Sequence, residues 1–179
     1  MGKILSQSEK DVIVKMYENG KKSSAIVDAL SVEAPKPEWK RYSHDRRYIE
    51  MAKVAAHCGT CKRRNYGSVI VKDNRIVSVG YTGAPVGEPN CCDDPEPCYR
   101  QAHNIPSGQQ YEQCKSVHAE ANALIKGNPA DMMGATMYLA GYDLEKGEWI
   151  KDAKPCNICE KMIKNAGIAK VINESNMEE

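Results

Sequence analysis

Two hydrophobic periods alternate along this chain, and the places where one gives way to the other mark out its elements. After the polar opening Ser8-Glu9-Lys10-Asp11, residues Val12, Ile13, Met16 and Tyr17 recur at helical spacing, and Asn19-Gly20 ends the run. Ser23-Ser24 caps a second short pattern carrying Ile26, Val27 and Leu30. Ala34-Pro35-Lys36-Pro37-Glu38-Trp39 then reads as a stiff joint, because proline also restricts the residue before it. From His44 to Ala56 the helical period returns, with Tyr48, Met51, Ala52 and Ala55 predicted on one face. The period drops towards two in Gly67–Val71 and Ile76–Tyr81, strands joined by the turn Lys72-Asp73-Asn74-Arg75. A helix is predicted from near His118 to Gly127-Asn128-Pro129, a strand over Met137–Ala140, a helix over Cys156–Asn165 and a late strand over Lys170–Ile172. Helix, hairpin, then alternating helix and strand predicts an α/β domain, a mixed sheet flanked by helices.

The joint suggests a division into a helical N-terminal extension (1–34), a linker (35–44) and a main domain (45–179). The extension has the pattern of a helix-turn-helix, which suggests either a DNA reader or a helical hairpin docked on the main domain or a neighbouring subunit. Charge favours the second reading. Lys and Arg number 25 against 24 Asp and Glu, a net +1, whereas binding to nucleic acid is driven by neutralising many phosphates. A small-molecule partner fits this balance better than polymeric nucleic acid. No stretch is apolar enough to span a bilayer and no signal-peptide run opens the chain, so no membrane partner and a cytoplasmic location are expected. Met1-Gly2-Lys3-Ile4-Leu5-Ser6 matches a myristoylation pattern, but one hexapeptide match is weak.

Eight cysteines stand at positions 58, 61, 91, 92, 98, 114, 156 and 159. In a reducing compartment that number points to metal ligation more than to disulfides. Cys156 and Cys159, behind Pro155, are three residues apart, so a helix would put both thiols on one side of its first turn. Proline suits that start, and the unpaired amides of a helix N-terminus favour thiolate over thiol. His118, opening another helix, can supply a third ligand. Three protein ligands leave the fourth tetrahedral position of Zn2+ to water, whose pKa zinc lowers from about 15.7 towards about 7. Glu120, two residues on, is placed to carry protons without binding the metal. That division of labour suits hydrolytic deamination of an amidine-like carbon such as C4 of cytosine. A lone Cys-x-x-Cys is often a structural half-site or a redox pair, and a lone His-x-Glu is mostly chance. Here each opens a predicted helix and a strand lies between them.

His118-x-Glu120 followed by Pro155-Cys156-x-x-Cys159 is the signature of zinc deaminases. Further segments resemble the deoxycytidylate deaminases. His118-Ala119-Glu120-Ala121-Asn122-Ala123-Leu124 is similar to their H-A-E-x-N-A-[IL] segment, and Gly80-Tyr81-Thr82-Gly83-Ala84-Pro85-Val86-Gly87 to their G-Y-N-G-x-P-x-G loop. Cys61 to Val71 looks like their lead into the first strand, and Ile105-Pro106-Ser107-Gly108 resembles the bacterial branch. The resemblance implies a cytidine-deaminase-like three-layer α/β/α sandwich with a five-stranded mixed sheet, and conversion of dCMP to dUMP with release of ammonia. It also implies a homo-oligomer, often a hexamer, and control by dCTP and dTTP, with Mg2+ accompanying a nucleotide effector. Deamination of another cytosine or purine compound, including a modified nucleotide or dCTP, is the alternative. A nucleotide- or DNA-binding regulator built on the same fold is the alternative of another class.

On this resemblance, the backbone at Ala119 and the loop Gly83-Ala84-Pro85 shape the pyrimidine pocket. Thr82 stands where relatives have asparagine, keeping a hydroxyl but losing the amide's paired donor and acceptor. Gly141 to Lys154 is an insertion, either a hairpin over the pocket or a surface excursion, and the chain lacks the longer tyrosine-bearing tail of many relatives. Cys61, Cys91 (or Cys92), Cys98 and Cys114 match positions for a second, structural zinc; His103 is a substitute ligand and Cys58 the spare. The competing reading is a set of buried free thiols. Arg63, Arg64 and Lys151 are candidates for a nucleotide phosphate, against the ordinary reading of solvated charge.

Overall fold

A computed structural model describes residues 6–20, 39–106 and 108–178. The chain divides into two compact units, Met1–Arg41 and Tyr42–Glu179. In the first, α1 spans Gln7–Glu18 and the chain turns at Asn19-Gly20, where Gly20 takes a left-handed φ of 67°. The expected second helix and residues 34–38 of the joint lie outside the described residues.

The second unit opens with α2 (His44–His57), whose first turn is capped by Ser43 accepting the Arg46 N–H at 3.1 Å. Strands β1 (Arg64–Lys72) and β2 (Arg75–Tyr81) form an antiparallel hairpin. Asp73 and Asn74 at its tip both have positive φ, 49° and 61°, the twist that a two-residue hairpin turn requires. β3 (Thr136–Asp143) lies antiparallel to the other edge of β1. A strand has only two edges, so β4 (Glu148–Ile150) and β5 (Lys170–Ile172) share the remaining one. β4 pairs antiparallel with Gly141–Asp143, and β5 parallel with Thr136–Tyr138. The sheet is therefore five-stranded and mixed.

Alternation along the strands separates two cores. Val69 and Val71 of β1, with Tyr138 and Ala140 of β3, meet Tyr48, Ile49 and Ala52 of α2 on one face. Ile70 and Met137 point the other way, into a cluster with Ala123 and Ile163. Those two come from α3 (Ala119–Lys126) and α4 (Asn157–Asn165), which complete the three-layer α/β/α sandwich. A Cβ on Gly80 of β2 would lie 2.2 Å from the Ala119 carbonyl oxygen and 2.4 Å from the Ala123 nitrogen. Only glycine lets α3 settle this close to β2. Ser78 Oγ donating to the Ala123 carbonyl (2.7 Å) and Asn122 Nδ2 donating to the Tyr81 carbonyl (2.8 Å) then pin the helix there.

Three expectations change. Met51 is 40% exposed, while Ile49 and Ala56 are buried. At about 100° per residue the buried arc of α2 centres on Ala52 and leaves Met51 on its flank. Pro155 lies outside α4 instead of at its first position, because Cys156 is the N-cap. The 141–154 insertion begins as a hairpin, but β3 and β4 extend the sheet, and Trp149 packs against the α2 core. Among the described residues no helix is long and apolar enough to cross a membrane.

Candidate metal centre and substrate cavity

Two helix starts converge on the site. His118 is the N-cap of α3 and Cys156 the N-cap of α4, with Cys159 in α4's first turn. The Cys159 N–H points to the Cys156 sulfur at 3.5 Å. Both helices turn their partly positive ends to this spot, which favours thiolates and other anions. The segment entering His118 is held by a backbone bridge: Gly83 N–H donates to the Val117 carbonyl (3.2 Å) and Val117 N–H to that of Gly83 (2.8 Å).

His118 Nδ1 lies 3.4 Å from Cys156 Sγ and 3.4 Å from Cys159 Sγ. Ligand bonds of about 2.0 Å to nitrogen and about 2.3 Å to sulfur at a tetrahedral angle would separate N from S by about 3.5 Å. The donor set therefore fits zinc in both chemistry and spacing. Among the described residues, His118, Cys156 and Cys159 are the group whose potential ligand atoms gather within 4.8 Å. Burial, then the nearby charge of Arg100, lowers the pKa of His118, favouring the neutral imidazole a metal needs. Burial also raises that of the Cys159 thiol, helped by the neighbouring Glu120 and Cys156.

Glu120 is 4% exposed, and burial pushes its carboxyl up to about 7, against hydrogen bonds from its own backbone N–H and from Cys159. A carboxyl at that value is poised to take and return a proton near neutral pH. It lines, with His118 and Cys156, a cavity of about 310 Å³, enough for a small ligand. Tyr66 and Tyr111 add aromatic wall, and Tyr111 meets the His118 ring edge-on, 4.6 Å between centroids. Arg63, Arg64, Arg100 and Lys154 make one side cationic.

The other expected residues fall in different places. Thr82 lines the cavity, yet its hydroxyl accepts the Tyr66 N–H at 3.0 Å and so serves the β1–β2 junction. Ala119 is fully buried and, like Gly83, Ala84 and Pro85, is not part of the lining. No residue of the β3–β4 hairpin lines the cavity; Lys154, at the insertion's end, does, and Lys151 does not. Cys61, Cys98 and Cys114 share the cavity wall. Burial raises the pKa of Cys91 and of Cys114, and in each case the charges of Cys61 and Cys98 add to it. His103 instead stacks on Tyr99 and bonds its carbonyl, and Cys58 and Cys92 are exposed.

Sequence reasoning missed Tyr66, Arg100 and Tyr111. Tyr66 shares a strand face with Arg64, so the phase of β1 held a signal for it. Arg100 and Tyr111 sit in 91–116, which has single turns of helix and no hydrophobic period to read.

Residues 42–175 match the family model described as the cytidine and deoxycytidylate deaminase zinc-binding region. The chain is 33% identical over 141 residues to a deoxycytidylate deaminase of Mycobacterium phage D29, covering 76% of this chain and 94% of that one. It is 28% identical over 173 residues to a deoxycytidylate deaminase of Schizosaccharomyces pombe, covering 96% of this chain but spanning 47% of that longer protein. Among solved structures, the apo dCMP deaminase of cyanophage S-TIM5 aligns with a TM-score of 0.49 at 26% identity, over 74% of this chain and 82% of that one. The chain belongs to the cytidine and deoxycytidylate deaminase family, a family of zinc-dependent hydrolytic deaminases.

Proposed function

We propose that this protein converts dCMP to dUMP by hydrolytic deamination. The observation that carries the reading is His118 Nδ1 standing 3.4 Å from both thiols, with a buried, proton-ready Glu120 beside them. The relatives named deoxycytidylate deaminase support the substrate. His118, Cys156 and Cys159 would hold zinc, which supplies the Lewis acidity that makes water a nucleophile at neutral pH. Glu120 accepts a proton as water oxygen bonds to C4 of the pyrimidine, and delivers it to ring N3. It then carries the second water-derived proton to the exocyclic amine, the C4–N bond breaks, and ammonia leaves. The buried setting of Glu120 keeps bulk water from competing for those protons. The test is to offer the zinc-loaded protein cytosine, cytidine, CMP, dCMP and dCTP and measure ammonia. Release should be fastest with dCMP; faster release from another compound would reassign the substrate.

We infer several finer features on the family resemblance. Residues 45–179 are the deaminase domain, 1–34 a helical extension and 35–44 the linker. A second, structural zinc sits on Cys61, Cys91, Cys98 and Cys114, supported by the cavity wall that Cys61, Cys98 and Cys114 share and by the electrostatic influence of Cys61 and Cys98 on Cys91 and Cys114. A metal assay should return two zincs per chain, and one after Cys98→Ser or Cys114→Ser. A single zinc, unchanged in both variants, would remove the second site. The protein is a cytoplasmic homo-oligomer, a hexamer, regulated by dCTP and dTTP with Mg2+ on the nucleotide effector. Sedimentation with and without each nucleotide tests the assembly and its ligands.

A further inference from the structure

The cations around the cavity differ in one respect that matters, which is whether anything neutralises them. Arg64 Nε lies 2.8 Å from Asp143, and Lys154 is largely solvated, with Asp152 at 3.9 Å. Arg63 is half-buried, so water shares its charge. Arg100 is 6% exposed and, among the described residues, makes no ion pair. Among the described residues its one hydrogen bond runs from Nη2 to the Pro106 carbonyl at 2.7 Å, and its buried Nε has no partner there. A guanidinium stays charged at any physiological pH. A buried, unpaired cation is costly unless an anion joins it. The catalytic centre does not fill that role, because a dication held by two thiolates adds no net charge. Although a second zinc on four thiolates would be anionic, Arg100 makes no hydrogen bond to any of those sulfurs among the described residues. Glu120 is the one carboxylate in the lining, and its proton belongs to the reaction.

Position points the same way. The Arg100 guanidinium carbon lies 4.6 Å from the Tyr111 ring centre, and that ring lies 4.6 Å from His118. The free positive charge therefore stands one aromatic ring away from the metal ligands, inside the same cavity. A nucleotide with its base at the ligands carries its anion one sugar away. We infer that Arg100 reads the 5′-phosphate and makes the cavity select a nucleotide over the free nucleoside. This rests on the deaminase reading of the same site. A planar fork suits a phosphate, which can accept two parallel N–H bonds.

The experiment compares dUMP with deoxyuridine by calorimetry, and dCMP with deoxycytidine by ammonia release, in the wild type, Arg100→Gln and Arg100→Lys, all zinc-loaded. Arg100→Gln should keep its zinc and weaken dUMP by about 10- to 100-fold, the loss of a charge-assisted contact, while deoxyuridine binding holds. KM for dCMP should rise far more than kcat falls, and lysine should restore only part of the preference. Equal weakening of dUMP and deoxyuridine would make Arg100 a brace for Tyr111 and overturn the inference, as would no change in either. Should Arg100→Gln not fold, the lysine variant decides alone: an undiminished preference for dUMP overturns the proposal. Phosphate preference that depends on Arg100, without ammonia from any cytosine compound, would instead sink the deaminase reading and leave the phosphate site standing.

Discussion

One half of the cavity is built on helix starts and the other on irregular chain, and the two halves suit different work. His118, Glu120, Cys156 and Cys159 sit at the first turns of α3 and α4, with α3 pinned to the sheet through Gly80, Ser78 and Asn122. Arg100 and Tyr111 come from the 91–116 stretch, where Asn104 and Gln110 adopt left-handed φ of 50° and 47° and helical turns are three or four residues long. Metal ligands and a proton carrier must be placed to a fraction of an ångström, and a rigid helix on a sheet provides that. Groups that recognise the rest of a substrate tolerate looser placement, and a loop serves for them.

The most direct way to isolate the helix-borne half is Glu120→Gln. It should retain zinc and lose about 10²- to 10⁴-fold in turnover, measured by ammonia release alongside a metal assay. Near-normal turnover would end the assignment of Glu120 as proton carrier.

Gly80→Ala tests whether the precision of that half comes from its seat on the sheet. The new Cβ collides with backbone of α3, so the helix has to move, at a cost of about 1–3 kcal/mol in denaturant unfolding. A stability unchanged from the wild type would mean the seat is not tight.

The loop half is probed by Tyr111→Leu. Losing the edge-on contact with His118, worth about 0.5–1.5 kcal/mol, should weaken zinc retention against a chelator by up to about tenfold. A larger effect there than in the helix-seat variant would erase the contrast between the two halves.

The smallest expected effect concerns Asp143, which links the sheet to the cationic wall. Burial pushes its carboxyl up, but the Lys146 and Glu145 N–H groups and Arg64 outweigh that and hold it below the usual carboxylate range. A depressed native value stabilises the fold above the unfolded pKa and is lost as pH falls through the native one. Asp143→Asn should therefore cost about 0.2–1 kcal/mol at neutral pH, since the Arg64 partner is partly solvent-exposed, with the gap closing below about pH 4. A gap that persists in acid would show that packing, not charge, is responsible.

The elements that sequence predicted well are those with a strong period. The β1–β2 hairpin is visible in alternating apolar residues around Asp73-Asn74, and α3 and α4 in their opening residues. Met51 was misplaced because one helical turn leaves two flanks that look alike until the sheet picks one. The insertion at 141–154 was ambiguous for a similar reason. A hairpin is legible in Tyr142, Trp149 and Gly147, but whether it covers a cavity or extends a sheet depends on which edge is free. β3 had a free edge beyond β5, and β4 took it.

What the sequence by itself determined was the chemistry. His118, Glu120, Cys156 and Cys159 are each tied to a local feature, a helix start with a fixed residue spacing, and local features survive in one dimension. Only the tertiary structure decided what surrounds that chemistry. It brought Tyr66, Arg100 and Tyr111 to the cavity, engaged the Thr82 hydroxyl with Tyr66, and set Cys61, Cys98 and Cys114 along the same wall. It also left Arg100 buried without a counter-charge. These placements follow from contacts between segments far apart in the chain, and a residue's burial or missing partner is a property of its neighbours in space.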